Sequence, residues 1–319
     1  MAGATQKKFS KQTWLYMTPT GLTLVETGMG KNSLPYLQVI AQLNAENPLA
    51  TPVKHVDWVK QHAPSKINLV LSHALYQLLL SDVPDVPADE MDDAIELKAA
   101  DLLSYDIDDA VIDVIQLPTD AYRGRMRMAF IVAMRKSPLA DWLKELILHS
   151  IKVNLIDIEI TQLRNLAVFH QNMNESGFMY LQPLQSRLLL TYNREMVLSR
   201  SFDIGLSSLV KETTVHDGEL ELTVTEDTQF EIQLESLVLE VRRSFDYYES
   251  QLGLGAISEM LFLCDEQHES LVTELASRLG VRILLLRPQD FIDIRLSDHN
   301  MDPVNYFNLT GLVYREALA

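Results

Sequence analysis

The chain has 319 residues, enough for two cores, and with 47% hydrophobic and 22% charged residues it has the composition of a folded protein rather than a disordered one. A formal net charge of −17 excludes a binder of nucleic-acid phosphates, which needs concentrated Lys and Arg. The single cysteine, Cys264, rules out an intrachain disulfide and suits a reducing cytoplasm.

The start of the chain carries charge with no apolar run behind it, unlike a secretory signal. Residues 14–17, 21–27 and 34–40 read as three short strands, with Leu22 and Leu24 alternating as on a half-buried strand. Pro19-Thr20-Gly21 and 28–32 supply the turns between them. A short helix at 54–63, a strand at 67–71 and an extended stretch at 76–80 follow. Pro87, Asp89 and Glu90 open a helix on which Met91, Ile95, Lys98 and Leu102 share one side.

"AVIDVIQL" and "RMRMAFIVAM" read as strands, with Arg123, Arg125 and Arg127 alternating on a solvated strand face. Residues 137–151 read as a helix capped by Ser137 with Pro138 at its first position. "VNLIDIEI" is a strand and 162–171 a helix. After a polar break at 172–177 come three strands, "GFMYLQPL", "SRLLLTYN" and "EMVLSRSF". The acidic, Thr-rich stretch 217–229 reads as a loop or edge strand. Residues 232–250 carry apolar side chains at helical spacing, from Leu234 to Tyr248. "MLFLC" and "RILLL" are strands around a helix at 266–279, and a last helix is expected at 303–317. Two α/β halves of similar order suggest a duplicated, two-lobed fold without repeat at the residue level. The lobes are placed at 1–176, with an inserted subdomain at about 81–150, and at 177–302, with 303–319 packing back on the first lobe. The apolar runs fall well short of the ~20 residues a membrane-spanning helix requires, so a cytoplasmic protein without direct membrane insertion is expected.

Motif spacing removes most chemistry. Gly28-Met29-Gly30-Lys31 resembles the end of a phosphate loop, but Val25 stands where its first glycine belongs and Asn32 where Ser or Thr belongs. A strand follows instead of the helix whose N-terminal amides would hold a phosphate. Gly205-Leu206-Ser207-Ser208 lacks the closing glycine of a nucleophile elbow. Asp298, Asn300 and Asp302 open like a calcium loop, but Pro303 and Leu309 occupy its glycine and glutamate positions. The eight histidines form no metal-binding motif, and no metal is expected. The acids at 89, 90, 92, 93 and 96 read as a solvated helix face suited to the helix dipole.

The stretch "SDVPDVPADEMDDAIELKAADLLSYDIDDAVIDVIQLP" resembles the inserted subdomain of PilM-type pilus-assembly proteins. "IKVNLIDIEITQLRNL" is similar to the return strand and helix of that family, and "LEVRRSFDYYESQL" to its long second-lobe helix. The order holds from Trp14 to about Arg315. The resemblance implies an actin-like, ribonuclease H-like α/β fold of two lobes with a PilM/FtsA-type subdomain. It implies a cytoplasmic platform that docks the tail of a PilN-like inner-membrane protein, with the pilus ATPase or a platform protein as further partners.

The family's ATP-binding members carry Asp and Gly in a first hairpin, Asp and Gly in a second turn, and a Gly-Gly adenosine turn. Aligned on Leu24-Val25-Glu26, this chain has Tyr16 or Met17 at the first Asp and Thr18 or Pro19 at the first Gly. Leu181 or Gln182 and Pro183 replace the second pair, and Asp265-Glu266 replace the third turn. Asp203-Ile204-Gly205 keeps the letters but follows the third strand of that half, where the turn belongs after the first. Loss of the aspartates removes the oxygen ligands that Mg²⁺ prefers, and proline offers no N–H to a phosphate. Such departures look most like the branch serving the mannose-sensitive haemagglutinin (MSHA) pilus. The reading is therefore a non-enzymatic scaffold with no cofactor, its partner groove around Val83, Val86, Met91 and Ile95. Plain core packing is the alternative for those four. The competing functions are an ATPase or sugar-kinase-like enzyme using Asp203 or Asp265 at an unconventional metal site, and an acidic adaptor unrelated to pili.

Overall fold

The computed structural model describes residues 10–30, 34–87, 89–209, 224–264 and 268–318. Contacts divide the chain into two compact units. Unit 1 comprises Met1–Leu117, Met126–Phe169 and Pro288–Ala319, and unit 2 comprises Pro118–Arg125 and His170–Arg287.

Unit 1 begins with three antiparallel strands, β1 (Gln12–Thr18), β2 (Gly21–Met29) and β3 (Pro35–Asn44). Their apolar runs are buried on both faces: Trp14, Leu15, Met17, Leu22, Leu24 and Leu37 are fully enclosed. The indole N–H of Trp14 donates to Thr27 Oγ1 at 3.1 Å, so even the buried polar edge is satisfied. The helix α1 (Pro52–His62) leads to β4 (Lys66–Leu71), which pairs parallel with β1. Beyond it β8 (Lys152–Ile158) pairs parallel with β4. A three-residue strand, β14 (Asp293–Arg295), completes the sheet beside β3, in the order β14-β3-β2-β1-β4-β8.

Between β4 and β8 the chain builds a second, antiparallel sheet, ordered β5-β7-β6 from β5 (Gln77–Asp82), β6 (Ala110–Gln116) and β7 (Met128–Arg135). The acidic helix α2 (Met91–Leu102) covers one face of it: Ile95 and Ala99 pack on Ile131, with Leu79, Ile112 and Val114 around them. This sheet spans residues 77–135, and α3 (Lys136–Leu148) packs instead on α1. Ser137 does not cap α3, as its position had suggested; the helix starts one residue earlier and Ser137 lies in its first turn. Asp109 does the capping from outside, its carboxylate accepting the Ser137 amide at 2.9 Å and the Ser137 hydroxyl. Arg123 and Arg125 stand in a loop before β7 rather than on a strand face, Arg123 with φ 57°.

α4 (Glu159–His170) closes this half, and unit 2 repeats the plan. β9 (Ser176–Leu181), β10 (Ser186–Tyr192) and β11 (Glu195–Phe202) form an antiparallel meander, and β12 (Glu259–Leu263) and β13 (Arg282–Leu286) add parallel strands on the far side of β9. The order β11-β10-β9-β12-β13 is the order of β3-β2-β1-β4-β8, a duplication carried by topology alone. A short helix, α5 (Leu206–Leu209), precedes α6 (Val224–Ser250), and α7 (Glu269–Leu279) links β12 to β13. Residues 224–229 are the start of α6, not a loop or edge strand; 217–223 lie outside the described residues.

The last segment departs from the expected α-helix. Pro303–Tyr314 is a 3₁₀ helix, followed by the single turn α8 (Arg315–Leu318). Tyr306 to Tyr314 are all buried, so no solvent-facing stripe exists to support an amphipathic α-helix. Gly311 permits the approach: a Cβ there would lie 1.8 Å from the carbonyl oxygen of Gln162 on α4.

Candidate functional site

In unit 1 the β1–β2 turn is held by its own atoms. Pro19 is exposed and has no N–H, and the Thr20 amide donates to Thr18 Oγ1 at 3.2 Å. The carbonyls of Pro19 and Thr20 accept the amides of Asn47 and Ala45 at 2.7 and 3.1 Å. Met17 is fully buried within the sheet. Tyr16 points into a polar network that sequence reasoning missed. Asn308 Nδ2 donates to the Tyr16 hydroxyl at 3.1 Å and to Glu159 Oε1 at 2.7 Å. The other oxygen of Glu159, a fully buried residue, accepts the His73 amide at 3.0 Å and lies 3.0 Å from His73 Nδ1. The C-terminal 3₁₀ segment thus supplies a partner of Tyr16, one of the two residues, with Met17, at which the resemblance places a metal-ordering Asp. Gly28 to Gly30 end β2 and its turn, where the Gly30 amide donates to Leu34 O at 2.8 Å; Lys31 and Asn32 lie outside the described residues.

In unit 2 the β9–β10 turn is similarly closed. The Gln182 amide donates to Gln185 O at 2.8 Å, and the carbonyls of Gln182 and Pro183 accept the amides of Leu206 and Ser207, each at 2.9 Å. Gly205 makes this contact possible, since a Cβ on it would come within 2.5 Å of Pro183 O and Gln185 N. The glycine of Asp203-Ile204-Gly205 is therefore required for packing. Asp203 itself is exposed and accepts Gln185 Nε2 at 3.4 Å. Asp265 and Glu266 lie outside the described residues. Among the described residues no group of three or more His, Cys, Asp or Glu side chains is placed to hold a metal ion.

The four residues of the expected partner groove separate. Ile95 is buried and Met91 packs against the same cluster beneath α2. Val83 and Val86 are half-buried, and the Val83 amide donates to Arg127 O at 2.8 Å. The opposite face of the three-stranded sheet is not packed by α2 and looks toward Leu139 of α3 and Thr161 of α4. It borders a groove of about 190 Å³, lined by Val111, Asp113 and Ile115 of β6, by Val132 and Met134 of β7, and by Ile156 and Ile158 of β8. Both β6 and β8 are edge strands of their sheets, and Val111 and Ile156 are 39% and 38% exposed. An apolar channel between two open strand edges suits an extended peptide, whose backbone can pair with an edge while alternate side chains fill the channel. Alternating apolar residues on both faces of "AVIDVIQ" were the available signal.

Across almost its whole length the chain superposes on solved proteins of low sequence identity. One is the PilM–PilN type IV pilus biogenesis complex, 18% identical, TM-score 0.64, covering 97% of this chain and 99% of that one. Another is a protein of unknown function from Bacteroides thetaiotaomicron with an actin-like ATPase fold, 10% identical, TM-score 0.52, covering 98% and 99%. The chain has the actin-like fold. No family model matches it, and no curated protein does. Each five-strand order described above is one half of that fold, and the β5-β7-β6 sheet with α2 is an insertion into the first half.

Proposed function

We propose that the chain is a PilM-like scaffold of a type IV pilus assembly platform, cytoplasmic and held at the inner membrane by a PilN-like protein. The observation that carries the reading is the end-to-end likeness to PilM as it occurs with PilN. The groove between β6 and β8 supplies a place for an extended tail. The finer assignment, an MshI-like member serving an MSHA pilus, rests on the loss of nucleotide-site residues. The side chains at those positions do not fit Mg-ATP. In one register Tyr16, whose hydroxyl accepts Asn308 Nδ2, and Thr18 take the Asp and Gly positions, and in the other the buried Met17 and Pro19 do; neither pair supplies a carboxylate or a glycine, and Pro183 offers no N–H in the second turn. The protein is accordingly read as a non-hydrolysing member of its fold.

The test is calorimetric titration of the full chain with a synthetic peptide of the cytoplasmic tail of a PilN-like protein from the same organism. Binding that Ile156→Asp or Val132→Asp reduces at least tenfold supports the reading, because each places a charge in the apolar channel. Loss of binding in Val86→Asp with the groove variants unaffected would move the site to the α2 side. No binding of the tail would favour the adaptor unrelated to pili. In the same instrument, Mg-ATP binding tighter than about 100 µM, roughly −5.5 kcal/mol, would overturn the nucleotide-independent part and favour an enzyme with an unconventional site.

A further inference from the structure

We propose that Asp113 makes the groove selective for a segment that carries a lysine or arginine between its apolar residues. The inference rests on the scaffold reading above and adds the chemistry of the occupant. Two carboxylates line the groove, and they differ in what surrounds them. Asp157 is fully engaged: its oxygens accept Arg315 Nε at 2.7 Å, the Ile158 amide at 2.9 Å and the Thr161 hydroxyl at 2.5 Å. Its charge is neutralised by Arg315 and its side chain is 10% exposed. Tyr76, a third polar group of the lining, accepts the Ile160 amide at 3.2 Å.

Asp113 is exposed, and its one hydrogen bond comes from the amide of its neighbour Val114 at 2.8 Å. Among the described residues it has no ion-pair partner. The one cation on β6 or β7, Arg135, pairs with Asp109. It stands between Val111 and Ile115 on the face of β6 that lines the groove, so a peptide filling the apolar channel must cover it. Covering a carboxylate without an opposite charge incurs a desolvation cost that nothing in the groove offsets. A cationic side chain at that register removes the cost, and a purely apolar segment is rejected. This is selection by the penalty against the wrong ligand as much as by attraction to the right one. Such a charge on an edge strand has a second use, to keep copies of the chain from pairing edge to edge, and the two roles separate in experiment.

The experiment titrates the full chain with the PilN-like tail peptide and with variants in which each Lys or Arg is changed singly to Gln. The wild-type protein is expected to bind one of these variants about 3- to 10-fold more weakly than the parent. Asp113→Asn should lose that discrimination, and Asp113→Lys should prefer the peptide with Glu at that position. Raising salt from about 50 to about 300 mM should weaken the wild-type complex more than the Asp113→Asn complex. Asp113 is exposed, so these variants keep the fold, and a melting curve for each checks it. Equal affinity for parent and Gln variants overturns the inference while leaving the scaffold reading in place. Self-association of Asp113→Asn with unchanged peptide selectivity overturns it too, in favour of edge protection. Absence of any binding by the parent peptide overturns both.

Discussion

Arg187 is 96% buried by its 4% relative exposure, and neither its Nε nor its Nη2 meets an acceptor among the described residues. Folding strips water from this guanidinium, and among the described residues no counter-charge meets it. The flanking strand residues show why it is enclosed: Leu188 to Leu190 are fully buried on β10, and Tyr180 stands opposite Arg187 on β9. Replacing whole buried ion pairs by apolar side chains is neutral or stabilising by about 1–4 kcal/mol in other proteins, and at Arg187 no partner among the described residues would be stranded. Arg187→Met is therefore expected to raise the urea midpoint of unit 2 at unchanged m-value. A fall of about 3 kcal/mol or more would mean that an anion sits against Arg187 in solution. An arginine in "SRLLLTYN" reads as the polar end of a strand, and its enclosure follows only from the pairing of β10 between β9 and β11.

At the scale of elements, local pattern and long-range packing divide the outcome. The three opening strands, α2 and α6 were readable because each repeats its apolar residues at the period of its own geometry. β14 was not, since three residues hold no period. The cap of α3 was misread because its donor is satisfied from 28 positions away, by Asp109, while Ser137 and Pro138 offered a plausible local answer. That contact is measurable. Asp109 accepts two hydrogen bonds from Ser137 and lies 3.5 Å from Arg135, which together hold its carboxyl below the usual carboxylate range. Asp109→Ala should lower the denaturant midpoint, as loss of a helix cap does. Ser137→Ala, which leaves the amide bond intact, should cost less. Equal losses in the two variants, read from denaturant midpoints, would show that the hydroxyl rather than the helix amide carries the contact. The groove belongs to this scale as well. A three-stranded sheet with apolar residues on both faces and α2 on one of them leaves a groove on the other, which is visible only once the strand order is known.

At the scale of the molecule, the chain's last segment completes unit 1. Tyr306 donates to Gln42 Oε1 at 2.7 Å, Asn308 to Glu159 at 2.7 Å, and Arg315 to Asp157 at 2.7 Å, joining the C-terminus to β3, α4 and β8. Tyr314 stacks on Phe169 with ring centroids 3.8 Å apart. Burial of Tyr306, Phe307, Leu309, Leu312, Val313 and Tyr314, at about 1.5–3 kcal/mol for each large apolar side chain, sums to roughly 9–18 kcal/mol before the entropy of ordering is subtracted. Net stabilities of whole domains are about 5–15 kcal/mol, so removing the segment is expected to destabilise unit 1 selectively. Unit 2 draws its core from residues 118–125 and 170–287 and keeps all of it. A chain ending at Asp302 should therefore show rapid amide exchange over β1, β4 and α4 while β9, β10 and β12 stay protected. Protection of both sets, with a single melting transition at the full-length temperature, would show that the 3₁₀ segment decorates a core already complete. The Gly311 contact gives a milder version of the same test. A Cβ 1.8 Å from Gln162 O forces the segment away from α4, so Gly311→Ala should lower the stability of unit 1 by about 1–3 kcal/mol and leave protection of unit 2 unchanged.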